Sequence, residues 1–186
     1  MKGIKNIFIC LIGIILSLNC LSLELFAVSE FQIPSENQGV LLVNLQVDSV
    51  APSLVIKKIG VTTSRKTKST HKIQLASKAS GLFLASLDPG RYQIVEVQAP
   101  YFDLPFRLDV ADDKRWQFNI EAGKTNYIGK LQVNRERSTR SVYIKLKNRL
   151  AANIENIQTE LTQLLLTHPL NAGSGFSDDF LKELQK

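Results

Sequence analysis

Between residues 39 and 147, apolar and polar residues alternate in short runs, a pattern typical of β-strands with one buried face. In the clearest run, Trp116, Phe118 and Ile120 are separated by single polar residues. Turn-forming residues separate the runs at intervals of about ten positions, which favours a β-sandwich or a barrel. The predicted strands cover 41–47, 53–62, 73–75, 81–87, 92–97, 116–120, 127–133 and 142–146.

A helical period begins only after residue 147. Apolar residues then recur at steps of three and four, so one face of the predicted helix at 149–167 is apolar. This face either packs on the sandwich or projects and binds a partner. A linker at 168–176 and a short helix at 177–185 are predicted to follow it. The apolar positions are Leu150, Ile154, Ile157, Leu161 and Leu164.

Two segments that contain glycine are predicted to be turns between consecutive strands. At 88–90, the ring of Pro89 presets its φ angle, and Gly90 accepts the positive φ that a type II turn requires. At 122–124, Gly123 is predicted to turn one strand into the next as a hairpin.

The residues around these turns carry a family resemblance. Leu87, Pro89, Gly90 and Tyr92, followed by a strand that ends at the Gly123 turn, resemble prealbumin-like, carboxypeptidase-regulatory-like modules of bacterial envelope proteins. In that group a Leu-x-Pro-Gly-x-Tyr hairpin precedes such a strand. The resemblance covers 39–133. It implies an antiparallel β-sandwich of prealbumin or immunoglobulin type and a mostly non-catalytic module, and it supplies no functional residues.

The first residues are typical of an export signal. Lys2 and Lys5 precede an apolar run at 7–18, so the positive end would stay in the cytoplasm while the apolar run enters the bilayer. Cleavage after Ala27 or Ser29 would leave a small residue before the cut. We therefore expect an exported protein that is periplasmic or extracellular.

Two other fates of this segment stay open. Lipidation at Cys20 would anchor the protein, although the residues that follow Cys20 are apolar and form a poor tether. Retention of the segment as an anchor would use 7–23, which is at the short limit for crossing a bilayer. We expect membrane association only in these two cases.

The chain thus divides into four parts. Their proposed bounds are 1–29 for the signal peptide, 30–38 for a polar leader, 39–147 for the β-sandwich and 148–186 for the α-helical extension.

Composition excludes several kinds of chemistry from the domain that remains after the signal peptide is cut. Both cysteines, Cys10 and Cys20, lie in the export segment, so a chain cut after Ala27 or Ser29 has no disulfide and no thiolate nucleophile. The net charge of +6 becomes +5 once Lys2, Lys5 and Glu24 are removed. A mild positive charge favours anionic partners, but it is also what a soluble surface commonly has.

The sequence motifs do not predict a catalytic site. The Gly-Lys-Thr sequence at 123–125 lacks the glycine that a phosphate loop needs five positions earlier, where Phe118 stands, and a strand follows it. His71 and His168 have no nucleophile, second histidine or carboxylate at a suitable spacing. We therefore expect no enzyme, no cofactor and no metal site.

Two sets of residues are candidates for binding. Basic residues in two connections form a cationic patch if those connections share one end of the sandwich. No aromatic residues interleave with the first of these runs, so we expect no nucleic-acid binding. The cations are Arg65, Lys66, Lys68, Lys72, Arg135, Arg137 and Arg140. The partner-binding candidates are Tyr101, Phe102, Leu150, Ile154, Ile157 and Leu161.

These observations favour an exported, non-enzymatic module of the cell envelope with a binding or structural role, and an envelope protein or an anionic surface as its partner. Two alternatives remain. One is a hydrolase of envelope polymers with a site not visible in the sequence, and the other is a peripheral protein that binds a membrane surface or another anion. The oligomeric state is not predicted.

Overall fold

The computed structural model describes residues 22–48, 52–60, 70–75, 79–100, 106–136, 138 and 141–174. Within these residues, twelve strands form two sheets, and two helices follow the last long strand. In chain order the elements are β1 (Ser22–Glu24), β2 (Phe26–Ala27), β3 (Gly39–Val47), β4 (Ser53–Ile59), β5 (Thr70–Gln74), β6 (Ser80–Leu87), β7 (Gly90–Gln98), β8 (Arg107–Asp109), β9 (Gln117–Ile120), β10 (Thr125–Glu136), β11 (Ser141–Lys147), α1 (Leu150–Glu160), α2 (Thr162–Thr167) and β12 (Leu170–Ala172).

Sheet A has the order β1-β5-β4-β7, and β8 and β9 both pair with the far edge of β7. Sheet B has the order β11-β10-β3-β6-β2, and β12 pairs with the first residues of β10. Most pairs are antiparallel, while β1–β5, β3–β10 and β10–β12 are parallel. The prediction of a mainly β, antiparallel-rich sandwich with a C-terminal helical segment is confirmed.

The main core lies between the two sheets. Alternate positions of β3 enter it, because successive side chains of a strand point to opposite faces. Trp116 precedes β9 in a short 3-10 turn and is buried in the same core. The largest fully buried side chains here include Leu45, Leu54, Ile56, Ile73, Tyr92, Ile94, Ile120 and Leu131.

The two helices cover part of the outer face of sheet B. Ile157, Leu161 and Leu164 pack with Val40 and Leu42, which point away from the main core. As a result, β3 is buried on both faces along most of its length, whereas its alternation predicted one buried face. The predicted helix at 149–167 is interrupted at Leu161, where α1 ends and α2 begins.

This docking decides between the two roles that the sequence left open for the helix. Ile157 and Leu161 are buried within the protein, and Leu150 packs partly against the same cluster. Ile157 and Leu161 therefore face sheet B and not a partner. Ile154 is 39% exposed, and its predicted role and that of Leu150 stay predictions.

Both predicted glycine turns join the two sheets instead of forming hairpins. Residues 88–90 connect β6 of sheet B to β7 of sheet A, and residues 121–124 connect β9 of sheet A to β10 of sheet B. Gly90 has a positive φ, but at 147° it lies far from the value of about 80° that a type II turn requires. Gly123 has a φ of 61°. The turn residues therefore specify neither the turn type nor the sheet that the next strand joins.

The segment after the helices also ties the sheets together. We predicted 168–176 as a linker, yet β12 pairs with β10, and Asn119 of β9 donates its backbone N–H to the carbonyl of Gly173 at 2.8 Å. The predicted helix at 177–185 lies outside the described residues. No helix in the described part of the chain has the length and apolarity needed to cross a membrane.

Residues 22–31 have structural partners that the sequence did not predict. The strand β1 pairs with β5 of sheet A, and β2 pairs with β6 of sheet B. Between them, Leu25 packs against the main core. A short 3-10 turn at Val28–Glu30 follows, and Val28 and Phe31 pack against the cluster under the helices.

Candidate binding surface

The part of the outer face of sheet B beyond the helices is polar. We call it the open face and define it by six side chains that are exposed or half-buried. They come from three adjacent strands, β3, β10 and β11. Its members are Gln46, Lys130, Gln132, Asn134, Tyr143 and Lys145.

Strand alternation places these side chains on one face. In β10, Leu131 and Val133 enter the main core, so the residues between and beside them point outward. The register then aligns the strands, because Gln132 lies opposite Gln46 on one side and Lys145 on the other. Side chains opposite each other on adjacent strands are about 5 Å apart at Cβ, so these three form one row.

A hydrogen bond fixes the amides in the middle of this row. Gln132 donates from Nε2 to Oε1 of Gln46 at 2.8 Å. The bond holds two amide groups side by side on the surface. Each amide has both a donor and an acceptor, so the pair can bond a hydroxyl or a carboxylate of a ligand.

Tyr143 and the two lysines complete the chemistry of the open face. Tyr143 lies opposite Asn134, and 45% of its surface is exposed. An exposed tyrosine offers an apolar ring and a hydroxyl at low entropic cost on binding. Lys130 and Lys145 place ammonium groups on the same face, which favours a ligand with negative charge.

The helical segment borders this face through a polar contact. Asn44 precedes Gln46 by two residues on β3, and its Nδ2 donates to Oδ1 of Asn153 on α1 at 3.0 Å. Asn153 in turn donates to the carbonyl of Arg149 at 2.6 Å. The contact marks where the apolar cluster under the helices ends and the open face begins.

A shallow cleft of about 320 Å³ adjoins the open face at β11, between that strand and the turn before β9. Ile144, Leu146 and Trp116 contribute its apolar lining, and Lys145 and Lys147 contribute cations. Its remaining lining residue is Arg115.

Arg115 is paired with a carboxylate. Its Nη2 lies 2.6 Å from Oδ2 of Asp113, and both groups are at the surface. Hydrogen bonds from Arg115 hold the pKa of Asp113 below its usual range, and those bonds raise the pKa of Arg115. Because Asp113 offsets the charge of Arg115, the lysines of β11 carry most of the positive charge along this edge.

Two of the predicted patch cations are described, and they lie on different sheets. Lys72 is exposed on β5 of sheet A. Arg135 is on β10 of sheet B, where its Nε donates to the backbone oxygen of Asp48 at 2.7 Å. The others, Arg65, Lys66, Lys68, Arg137 and Arg140, lie outside the described residues.

The strands that flank the two basic connections end at opposite ends of the sandwich. The end of β4 at Ile59 pairs with Arg91, beside the corner at 88–90. The end of β10 instead lies beside the end of β3, where Asp48 donates its N–H to the carbonyl of Val133. A seven-residue strand such as β4 is about 20 Å long. The described strand ends that flank the two connections therefore lie at different ends of the sandwich, and the patch itself stays a prediction.

Tyr101, Phe102 and Cys20 lie outside the described residues, so their predicted roles stay predictions.

The sequence did carry a signal for the open face. In 130–134 and 143–145, polar residues occupy every second position, between the apolar residues that predicted the strands. What the sequence lacked was the pairing order that brings β3, β10 and β11 together.

The two histidines occupy different environments. Burial lowers the pKa of His71 on β5, with Lys58 acting in the same direction and Asp88 opposing it. His168 is 1% exposed, and its Nδ1 lies 3.0 Å from Oγ1 of Thr167. Within the described residues, no three His, Cys, Asp or Glu side chains form a group that could hold a metal ion.

Comparison of the sequence with models of known protein families gave no match, and comparison with curated proteins gave none either. The resemblance to prealbumin-like modules therefore stays a prediction. The sandwich and its surfaces are the basis for any functional conclusion.

Proposed function

We propose that this protein is an exported, non-enzymatic binding module of the cell envelope, and that it holds an anionic envelope polymer on the open face. The carrying observation is that the helices cover one part of sheet B, while the rest presents paired amides, an exposed tyrosine and two lysines. The export signal predicted at the N-terminus supports the location.

The shape of the open face favours an extended ligand. Three adjacent strands, about 4.8 Å apart, provide a strip roughly 10 Å wide across Gln46, Gln132 and Lys145. Small-molecule sites are usually concave and largely apolar, whereas this surface is a polar sheet face. A polysaccharide with carboxylate or phosphate groups matches it, because hydroxyls can bond the amides and the anionic groups can pair with the lysines.

The test is binding of the purified protein to a soluble carboxylated polysaccharide such as polygalacturonate, compared with a neutral polysaccharide. We expect binding to the acidic polymer only. The double variant Lys130→Gln/Lys145→Gln should weaken it by roughly tenfold or more, as loss of two surface charges facing a polyanion does at low salt. Unchanged affinity in this variant would contradict the proposed site.

A matched control lies on the other sheet. Lys57 and Lys72 are both exposed on sheet A, so Lys57→Gln/Lys72→Gln removes the same charge from a different surface. We expect its affinity to stay within about twofold of the original, because screening limits the reach of surface charges to about 10 Å at moderate salt. A larger loss in this control than in the open-face variant would place the site on sheet A.

A membrane surface is the competing anionic partner, and a vesicle-binding measurement distinguishes it from a polysaccharide. Binding to vesicles that contain anionic lipid, without binding to the acidic polysaccharide, would overturn the proposed ligand and support the peripheral-membrane alternative.

A further inference from the structure

The fold bears on where the export segment is cut. We infer that the processed chain begins at or before Ser22, so that Ser22–Ala27 is retained and closes both sheets. This inference rests on the proposed export and differs from a cut after Ala27 or Ser29. It is carried by the strand pairs and packing of residues 22–31. In this segment β1 pairs with a strand of sheet A, and β2 pairs with a strand of sheet B.

The first element that such a cut would remove is β1. It pairs along three residues with β5, matching Ser22 with Lys72 and Glu24 with Gln74. The other edge of β5 is already paired with β4. Without β1, the outer edge of β5 would expose unpaired backbone groups, which makes a sheet edge prone to pairing with other chains.

The second element is β2 on the opposite sheet. Phe26 and Ala27 pair with Leu84 and Phe83 of β6, whose other edge is paired with β3. Only Leu25 separates the two strands, and it packs against the main core. The segment thus passes from one sheet edge to the other and covers the core between them.

The third contribution is apolar packing beyond the strands. The rings of Phe26 and Phe31 lie with their centroids 6.4 Å apart. Val28 and Phe31 pack against the cluster that also holds Leu161 and Leu164. A cut after Ala27 would remove β1, β2 and Leu25, and a cut after Ser29 would remove Val28 as well.

The export signal does not need these residues. The positive start at Lys2 and Lys5 and the apolar run at 7–18 are complete before residue 19. An apolar region of about 7–15 residues is typical of a signal peptide, which also needs a small residue before the cut, and Cys20 is such a residue between 19 and 22. Export and folding can therefore use separate parts of the N-terminus, with the boundary between 19 and 22.

The test is the intact mass of the full chain after expression in an exporting bacterium and purification from the envelope fraction. We expect a mass that corresponds to a start between residues 19 and 22. A start at Cys20 with added fatty acyl mass and a start there without it both agree with the inference, and the mass distinguishes lipid anchoring from soluble release. A start at Val28 or Glu30 would overturn it.

A variant provides an independent test. In Ala27→Val/Ser29→Val, a β-branched residue replaces each small residue that a cut at those positions needs. We expect the processed mass to change only by the two substitutions. Accumulation of the unprocessed precursor in the envelope fraction would overturn the inference, whereas a full-length chain confined to the cytoplasm in the original protein would contradict export itself.

Discussion

Asn126 shows how one polar residue holds several segments together. It lies on β10 with no exposed surface, at the corner where the chain passes from sheet A to sheet B. Its Oδ1 accepts from the N–H of Glu121 at 3.2 Å and from Nδ2 of Asn171 at 2.9 Å. Its Nδ2 donates to the carbonyls of Lys124 at 3.0 Å and Glu121 at 3.1 Å. The side chain therefore joins the corner to β12.

We expect Asn126→Ala to lower the free energy of unfolding by roughly 2–4 kcal/mol, because it removes all the hydrogen bonds of a fully buried side chain. Urea unfolding measures the change. Asn134→Ala is the control on the same strand, since Asn134 is exposed, and it should stay within about 0.5 kcal/mol of the original protein. Similar losses in both variants would show that the network adds nothing to stability.

Tyr92 is a buried titratable group whose ionisation the fold opposes. Its ring stacks on Phe118 with centroids 5.6 Å apart, and its hydroxyl donates to the carbonyl of Asp88 at 2.8 Å. Burial, with a smaller contribution from the charge of Asp88, raises the pKa of Tyr92 from 10.0 to about 12. The folded state therefore keeps the phenol proton in a pH range where the unfolded chain loses it.

The pKa of Tyr92 is higher in the folded protein than in the unfolded chain. Its contribution to the free energy of unfolding is therefore constant below pH 10 and falls as pH rises towards 12. The loss is roughly 1 kcal/mol at pH 11, midway through that window. Urea unfolding at about pH 8 and about pH 11 should show a smaller decline for Tyr92→Phe than for the original protein. Equal declines in the two proteins would refute the assignment.

At the scale of elements, the alternation of apolar and polar residues predicted most of the long strands. A strand with one buried face has apolar residues at every second position, because successive side chains point to opposite faces. β10 and β11 lie where Tyr127–Val133 and Val142–Leu146 predicted them, and each extends further. The short elements β1, β2, β8 and β12 were missed. Each has two or three residues, which is too few to show a period, and only pairing with a longer strand defines them.

The docking of α1 leads to a prediction at the same scale. Ile157 has no exposed surface and packs on sheet B, so Ile157→Ala should cost about 2–5 kcal/mol in the free energy of unfolding. Ile154→Ala, at a side chain that is 39% exposed, should cost less than about 1 kcal/mol. Chemical denaturation of the two variants decides this. Equal effects would show that the helix does not depend on its contact with the sheet.

At the scale of the whole molecule, the sequence predicted the architecture but not the strand order. The corner at 88–90 is an example, because its turn residues fit a hairpin as well as a crossing between sheets. The open face shows the same limit. The sequence predicted the outward polar positions of β10 and β11, but it did not predict that β3 lies beside β10. Pairing between distant strands depends on the packing of the whole chain, which no local pattern records.

The helices and the sandwich should unfold together. Trp116 is the only tryptophan and lies in the core between the sheets, while α1 and α2 pack on the outer face of sheet B. Because β3 contributes to both clusters, we expect tryptophan fluorescence and helical circular dichroism to give the same urea midpoint. Loss of the helical signal at clearly lower urea would show that the helical segment is an independent unit.

The parallel pair of β3 and β10 sits in the middle of sheet B, and its strands are far apart in the chain. The bond between Gln46 and Gln132 joins residues 86 positions apart. A contact of this kind slows folding, since a long loop must close before the contact forms. An exported chain would therefore cross the membrane before β3 has paired with β10. Slow completion of the sheet would leave the edge of β3 unpaired for longer, and an unpaired strand edge in a folding intermediate is prone to aggregation.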